Sequence, residues 1–350
     1  MSQPLEEQLI AILSAVEVHS PASFAFADRP FAAEAHGQSP EELHTDHASE
    51  LVPLVRELRQ VLYSQCYARH FDGSLSELSP VYDPEFVPDS RLAEQLAEAN
   101  QSRYGWDPGW KIFRLGAEGE VQVQKGERFC SPQTGEYAYT AGPGMRPRIG
   151  DTVSLQVLRE SHEMQPGMYF VFGEVLSDRF DGFHQIRFYF HLRPPGAPIL
   201  VRTLTTALNR YQVPFQFKCQ KYRENYDRLD ASVLYVAHRY FDICARALTN
   251  LPSELTGELE PAIPLFTKMF RPGIGFAEDP VGNLSFGQDR CQLIAEGIVD
   301  AWLRDESSAA ASLQCIQTRF EARGLSLDKP YLNAGSVDVY DSPQLTGIDR

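Results

Sequence analysis

The sequence lacks several things that would have decided its class at once. No apolar run among its 350 residues approaches the roughly 20 that a membrane-spanning helix needs, so no membrane association is expected. The first 20 residues hold Glu6, Glu7 and Glu17 and no basic start, which argues against a secretory signal peptide. Cysteine is sparse and scattered: Cys66, Cys130, Cys219, Cys244, Cys291 and Cys315 form no CxxC pair. Neither a disulfide framework nor a structural zinc site is expected, and reduced thiols in a cytoplasmic setting are. His36, His44 and His47 are a weak metal candidate, and no metal or other cofactor is predicted. Cations are in deficit. The 32 Lys and Arg face 47 Asp and Glu, a net charge of −15. A whole-surface nucleic-acid binder would need clustered cations, so that class is set aside, though a local basic pocket is not. Catalytic signatures are missing too. There is no GxSxG elbow and no GxxxxGK[ST] loop, and Gly273-Ile-Gly-Phe-Ala-Glu278 matches a dinucleotide loop only loosely, without its third glycine.

What is present reads as α+β: an antiparallel sheet, drawn as a meander, packed with helices and preceded by a helical N-terminal region. The expected division is 1–105 helical, 106–325 α+β, and 326–350 a polar tail. Leu5, Leu9, Ile12, Leu13 and Val16 recur at helical spacing, and a second helix is predicted over 48–70 and a third over 89–101. Ser39-Pro40-Glu41-Glu42 resembles a helix start. The Ala-rich stretch 24–38 reads as a loop. A hairpin is expected over 109–125, then a long loop over 129–150. Strands follow at 152–158, 168–176 and 184–192, rich in β-branched and aromatic residues and bounded by turns. Beyond them come a helix at 198–211, a strand from Pro214 to Cys219, a helix at 229–249, a Pro- and Gly-punctuated stretch at 252–286, and helices at 285–304 and 307–322.

Three segments carry chemistry. In the strand Arg187-Phe188-Tyr189-Phe190-His191-Leu192, Arg187, Tyr189 and His191 share one face and the hydrophobes the other. That row suits a solvated outer face or the wall of a polar site. In the second segment Lys218, Lys221, Arg223 and Arg228 fall close together inside an acidic chain, as an anion site or as a basic turn capped by Asp227 or Asp230. The third runs from Pro264-Leu-Phe-Thr-Lys268 through Arg271-Pro-Gly-Ile-Gly-Phe-Ala-Glu-Asp-Pro280 to Ser285-Phe-Gly-Gln-Asp-Arg-Cys291. Ser285 is a good N-cap there, and the open N–H groups behind it could hold a phosphate or merely start a helix.

Taken in order, RFYFHL, FKC with Tyr222 and Arg228, VLY at 233–235, PLFTK, PGIGFAEDP and SFGQDRC resemble the HopA-type bacterial type III effector family, over roughly residues 105–325. The resemblance implies two settings. Some members are effectors delivered into plant cells. Related proteins are phosphothreonine/phosphoserine lyases of class V lanthipeptide and thioamidated-peptide biosynthesis. There a kinase-like partner phosphorylates a precursor peptide, and the lyase eliminates phosphate to leave a dehydroamino acid. Such chemistry needs a base for the Cα proton and cations for the departing phosphate. On this reading Lys218 is the candidate base and Lys268 its rival. His191 or Tyr189 would be the acid, and Arg187, Arg228 and Arg290 the phosphate clamps. Tyr222, Thr267, Glu278 and Ser285 would shape the site. The expected partners are a peptide or phosphopeptide substrate and the kinase-like protein. The alternative is a non-catalytic effector or regulatory protein that binds an anionic or phosphorylated partner.

Overall fold

The computed structural model describes residues 3–33, 49–77, 90–116, 120–133, 135–139, 146–177, 181 and 184–341. The Ser39–Glu42 helix start and the His36, His44 and His47 trio lie outside these. The chain opens with α1 (Gln3–Ser14), which buries Leu9, Ile12 and Leu13. Strands β1 (Val16–Ser20), β2 (Ser23–Phe26) and β3 (Arg29–Ala32) then form a small antiparallel sheet where a loop was expected from residue 24. The β2–β3 turn is Ala27-Asp28, both at positive φ. That geometry is usually announced by Asn-Gly or Asp-Gly, so this hairpin carried no turn signal.

Helix α2 (Val52–Leu62) turns its Leu54, Val55, Leu58 and Leu62 stripe into the core and continues into one π-helical turn, Tyr63–Tyr67. After α3 (Arg91–Ala99), β4 (Gly105–Leu115) and β5 (Val121–Lys125) form the expected hairpin. Within the expected long loop lie β6 (Arg128–Cys130) and β7 (Tyr137–Tyr139). With β8 (Thr152–Val157) they complete a five-stranded sheet, ordered β6-β5-β4-β8-β7, over a small core of Trp110, Ile112, Val121, Val123, Val153 and Leu155.

The remaining strands build a seven-stranded antiparallel sheet. They are β9 (Glu160–Ser161), β10 (Met168–Phe172), β11 (Gln185–Phe190), β12 (Phe215–Gln220), β13 (Ser232–Ala237), β14 (Lys268–Arg271) and β15 (Ile274–Glu278). Their order is β14-β15-β11-β13-β12-β10-β9. The α+β class and the antiparallel pairing hold, but the three strands expected as a meander are not neighbours. β8 sits in the other sheet, and β12 and β13 separate β10 from β11. Strand β13 also corrects the helix expected from 229 to 249. It is central and buried on both faces, so Val233-Leu-Tyr-Val236 reads as a continuous apolar run that periodicity cannot tell from a helix.

Helices cover both faces of this sheet. α4 (Gly196–Arg210) lies where a helix was expected, α5 (Phe241–Thr249) is only the second half of the helix expected from 229, and a short α6 (Ser253–Thr256) follows. Phe241 of α5 stacks on Phe188 of β11, which fixes that face as apolar. The opposite face meets the end of α2 and the start of α7 (Phe286–Leu303), where Tyr189 lies against the rings of Tyr67 and Phe286. Helix α7 is buried nearly all round. It packs on α8 (Ala309–Ala322) at Gly297, where a Cβ would come within 2.5 Å of the Ile316 side chain.

Candidate anion-binding site

Alternation along three adjacent strands makes the site. On β11, Arg187 and Tyr189 share a face; across the ladder Arg187 stands opposite Tyr235 and Tyr189 opposite Val233 of β13. Val233 in turn stands opposite Lys218 of β12. Side chains of one parity therefore project together from the sheet centre. Tyr63 and Tyr67 from the π turn, Arg228 and Asp230 from the β12–β13 connection, and Ser285 and Gly287 at the start of α7 close over them. The enclosed space is about 70 Å³, room for a few waters or one small anionic group.

Three cations face it, two of them already tied to carboxylates. Arg187 is buried. It pairs through Nη2 with Asp279 and lies 4.9 Å from the centroid of the Tyr235 ring. Burial works against its charge, but Tyr189, Tyr235 and Asp279 outweigh it and hold the guanidinium ionised. For Asp279 burial wins and raises the carboxyl, against the pull of Arg187 and Lys218. Arg228 grips Asp230 with two bonds, Nε to Oδ1 at 2.9 Å and Nη2 to Oδ2 at 3.0 Å. Tyr63 completes that group by donating its hydroxyl to Asp230 Oδ2 at 2.8 Å. Lys218 donates from Nζ to Gln165 Oε1 at 3.2 Å and lies 5.8 Å from the Tyr235 centroid. Among the described residues no carboxylate stands within ion-pair distance of it. Three cations against Asp230 and Asp279 leave one formal positive charge.

Donors are also left over. Tyr189 Oη, Tyr67 Oη and Arg187 Nε are buried as one another's polar neighbours, and none makes a well-formed hydrogen bond to a described residue. Leaving such a group unmade costs about 1–3 kcal/mol, so each is a place where a ligand acceptor would be favoured. Burial pushes the Tyr189 phenol up to about 12 despite Arg187, and raises Tyr67 as well. Both are protonated donors at neutral pH. The N-terminus of α7 adds its own field. Ser285 caps it in a capping box with Gln288, so the Ser285 hydroxyl is committed to the helix. Gly287 is required beside it, because a Cβ there would stand 2.3 Å from Tyr67 Cε1.

Of the residues singled out from sequence, Arg187, Tyr189, Lys218, Arg228 and Ser285 come together here. The other six lie outside the pocket. His191 is one step beyond Tyr189, past the end of β11. Its Nδ1 meets the Ala262 carbonyl at 3.1 Å, an arrangement that makes Nδ1 the donor, and burial lowers its pKa. Lys268 pairs with Asp338 at 3.0 Å and Asp341 at 3.6 Å. Arg290 is no clamp: it spends its donors on the carbonyls of Pro330 and Leu332 and on Asp289, and its guanidinium lies over the Phe286 ring. Tyr222 lies by the Gly167 turn. Thr267 donates to the Pro264 carbonyl at 2.6 Å and rests over Gly275. Glu278 points to the opposite face of β15, where it accepts from Tyr340 Oη at 2.5 Å and from Asn333 N at 2.6 Å. The residue after it, Asp279, is the one that reaches Arg187. Alternation through Gly275 and Ala277 would have found it; no sequence signal pointed to Tyr63 or Tyr67.

No group of three or more His, Cys, Asp and Glu among the described residues could hold a metal ion, and no helix among them is long and apolar enough to cross a membrane. The fold and the pocket define an α+β protein with a buried cationic site at the centre of a seven-stranded sheet. Residues 159–332, which hold all seven strands of that sheet and all of the pocket's cations, match the HopA1 effector protein family. The similar solved structures include two effector proteins. One is the effector protein from Pseudomonas syringae pv. tomato strain DC3000, at 20% identity over 47% of this chain and 62% of that one, with a TM-score of 0.38. The chain thus spans less than two thirds of that effector's length. The other is the effector protein from Pseudomonas syringae pv. syringae strain 61, at 13% identity over 71% of this chain and 86% of that one, with a TM-score of 0.40. No curated protein matches the chain.

Proposed function

We propose that the pocket binds the phosphoryl group of a phosphoserine or phosphothreonine in a peptide, and that the protein eliminates that phosphate as a cytoplasmic lyase. The observation that carries this reading is the convergence of Arg187, Lys218 and Arg228 with two buried phenols that lack a well-formed hydrogen bond around one small enclosed space. Planar guanidinium groups suit oxyanions, and such phenols gain most from an acceptor. In the reaction, Lys218 in its neutral form takes the Cα proton. The C–H electron pair becomes the Cα–Cβ double bond, the Cβ–O bond breaks, and phosphate leaves with that bond's electrons. Arg187 and Arg228 hold the departing charge, and Tyr189 donates a hydrogen bond to it. A kinase-like partner would supply the phosphorylated peptide, and the protein's own groups suffice for the elimination.

The test is direct. Full-length protein is incubated with a synthetic phosphothreonine peptide, and mass spectrometry follows conversion to the dehydrobutyrine product with release of inorganic phosphate. Intact peptide with the protein alone and with candidate kinase partners would sink the lyase reading. A second reading, a non-catalytic module binding a phosphorylated partner, draws on the carboxylates already paired with Arg187 and Arg228. It predicts saturable phosphopeptide binding with no product.

A further inference from the structure

Next to the small polar pocket lies a larger, mainly apolar groove of about 450 Å³. Its floor includes Gln216 and Tyr235 of the seven-stranded sheet, its wall Trp110 and Leu155 of the five-stranded sheet. At its mouth Leu158 and Leu176 stand 47% and 40% exposed. Clustered exposed apolar side chains on a concave surface mark a place that something covers.

Register says what that is. Tyr235 lines both spaces. Lys218 and Val233 of the polar pocket are opposite each other, and Gln216 and Tyr235 of the groove are the next opposed pair on the same face. The two positions are two residues apart along each strand, about 6.6–6.8 Å. An extended peptide covers the same span in two residues and returns its side chain to the same side. A phosphorylated residue seated against Lys218 and Tyr189, which are level across the sheet, therefore presents the side chain two positions away to the groove, on the far side of Arg187, which is level with Tyr235.

Resting on the phosphopeptide reading, we infer that the groove is a specificity subsite for an apolar side chain two residues from the phosphorylated one. The occupant is a segment of the substrate peptide itself. Apolar walls favour Leu, Ile or Phe there and disfavour a charged residue, which would lose its hydration.

The test measures binding of the full-length protein to peptides carrying phosphorylated α-methylserine, which has no Cα proton and so cannot be eliminated. One peptide has Leu two positions to either side of the phosphorylated residue, one has Gly at both places, and an unphosphorylated Leu peptide is the control. The Leu phosphopeptide should bind about tenfold tighter than the Gly phosphopeptide, as expected for covering one such side chain. Leu176→Ser, and independently Leu158→Ser, which add no charge beside the phosphoryl pocket, should weaken the Leu phosphopeptide more than the Gly phosphopeptide and so reduce that advantage. Both positions are exposed enough to accept the change without loss of folding. Equal binding of the Leu and Gly phosphopeptides to the native protein overturns the subsite and leaves the phosphoryl pocket standing. Failure of both phosphopeptides to bind overturns the phosphoryl pocket and the subsite together.

Discussion

Arg187 and Tyr235 face each other across the β11–β13 ladder, guanidinium carbon 4.9 Å from ring centroid, with Asp279 closing on the far side of the same guanidinium. The ring and the carboxylate set its plane and leave Nε without a well-formed hydrogen bond. Removing the arginine thus does two things: it deletes a phosphoryl donor and strands a mostly buried carboxylate. We expect Arg187→Ala to cost about 3 kcal/mol of stability, the order found when one partner of a buried pair is removed. The Arg187→Ala/Asp279→Asn double variant should recover a good part of it without restoring anion binding. Urea unfolding of the two single variants and the double measures this. Additive losses would mean that the pair is not coupled.

Tyr67 offers the opposite dissociation. Its hydroxyl is buried without a well-formed hydrogen bond, so Tyr67→Phe removes a desolvation cost along with a donor. The variant should melt no lower than the native protein, yet bind a phosphopeptide roughly five- to tenfold more weakly, the worth of about one hydrogen bond. Gly287→Ala should instead push the Tyr67 ring out of place, with overpacking costing about 1–3 kcal/mol. Thermal melts beside a binding titration separate the two. A Tyr67→Phe protein that is clearly less stable would show that the hydroxyl has a structural partner.

The α+β class was legible because several elements announce themselves locally. The hairpin of β4 and β5, helices α3, α4 and α8, and the Ser285 cap of α7 all have caps, turns or periodicity in the sequence itself. Strand β13 was not legible, because its burial on both faces is a property of the assembled sheet. The β14–β15 pair was hidden in a stretch punctuated by Pro272 and Gly273, whose glycine is the turn between the two strands. The site divides in the same way. Period-two alternation places Arg187 with Tyr189, and Lys218 on the matching face of a second strand. It cannot say that these strands are separated only by β13. Nor can it bring Tyr67, some 120 residues away in sequence, over the pocket. Arg290 and Lys268 looked like free cations because their partners, the Pro330 and Leu332 carbonyls and Asp338, come from a segment that reads as a polar tail.

That C-terminal segment makes an acid-sensitive contact. Asp338 accepts from Tyr331 Oη and pairs with Lys268 and Lys329. Burial alone would raise its carboxyl, but these three donors outweigh it and bring it down to about 2 from its ordinary value of 3.8. The sign follows. A carboxyl depressed in the folded state binds fewer protons there than when unfolded, so its contribution is complete above pH 4 or so and is lost as pH falls toward 2. Asp338→Asn should lower stability near neutrality and flatten the acid limb between about pH 4 and pH 2. Urea midpoints measured across that range check it. An acid limb of unchanged slope in the variant would assign that limb to other carboxylates.

Lys218 is where binding and chemistry part. Arginine at 218 keeps a cation and several donors but cannot act as a base, because a guanidinium does not give up its proton in a protein. If Lys218 removes the Cα proton, Lys218→Arg should hold an α-methyl phosphoserine peptide within about threefold of native affinity while product formation falls by at least a hundredfold, in keeping with general-base contributions. Lys218→Ala should lose both. If Lys218 is instead only a phosphate contact, Arg should rescue turnover along with binding. The same three proteins thus decide the role. Turnover that survives in Lys218→Arg would move the base to another side chain; His191, outside the pocket but next along the same strand face, has its Nε2 left as an acceptor by the Nδ1 contact to Ala262.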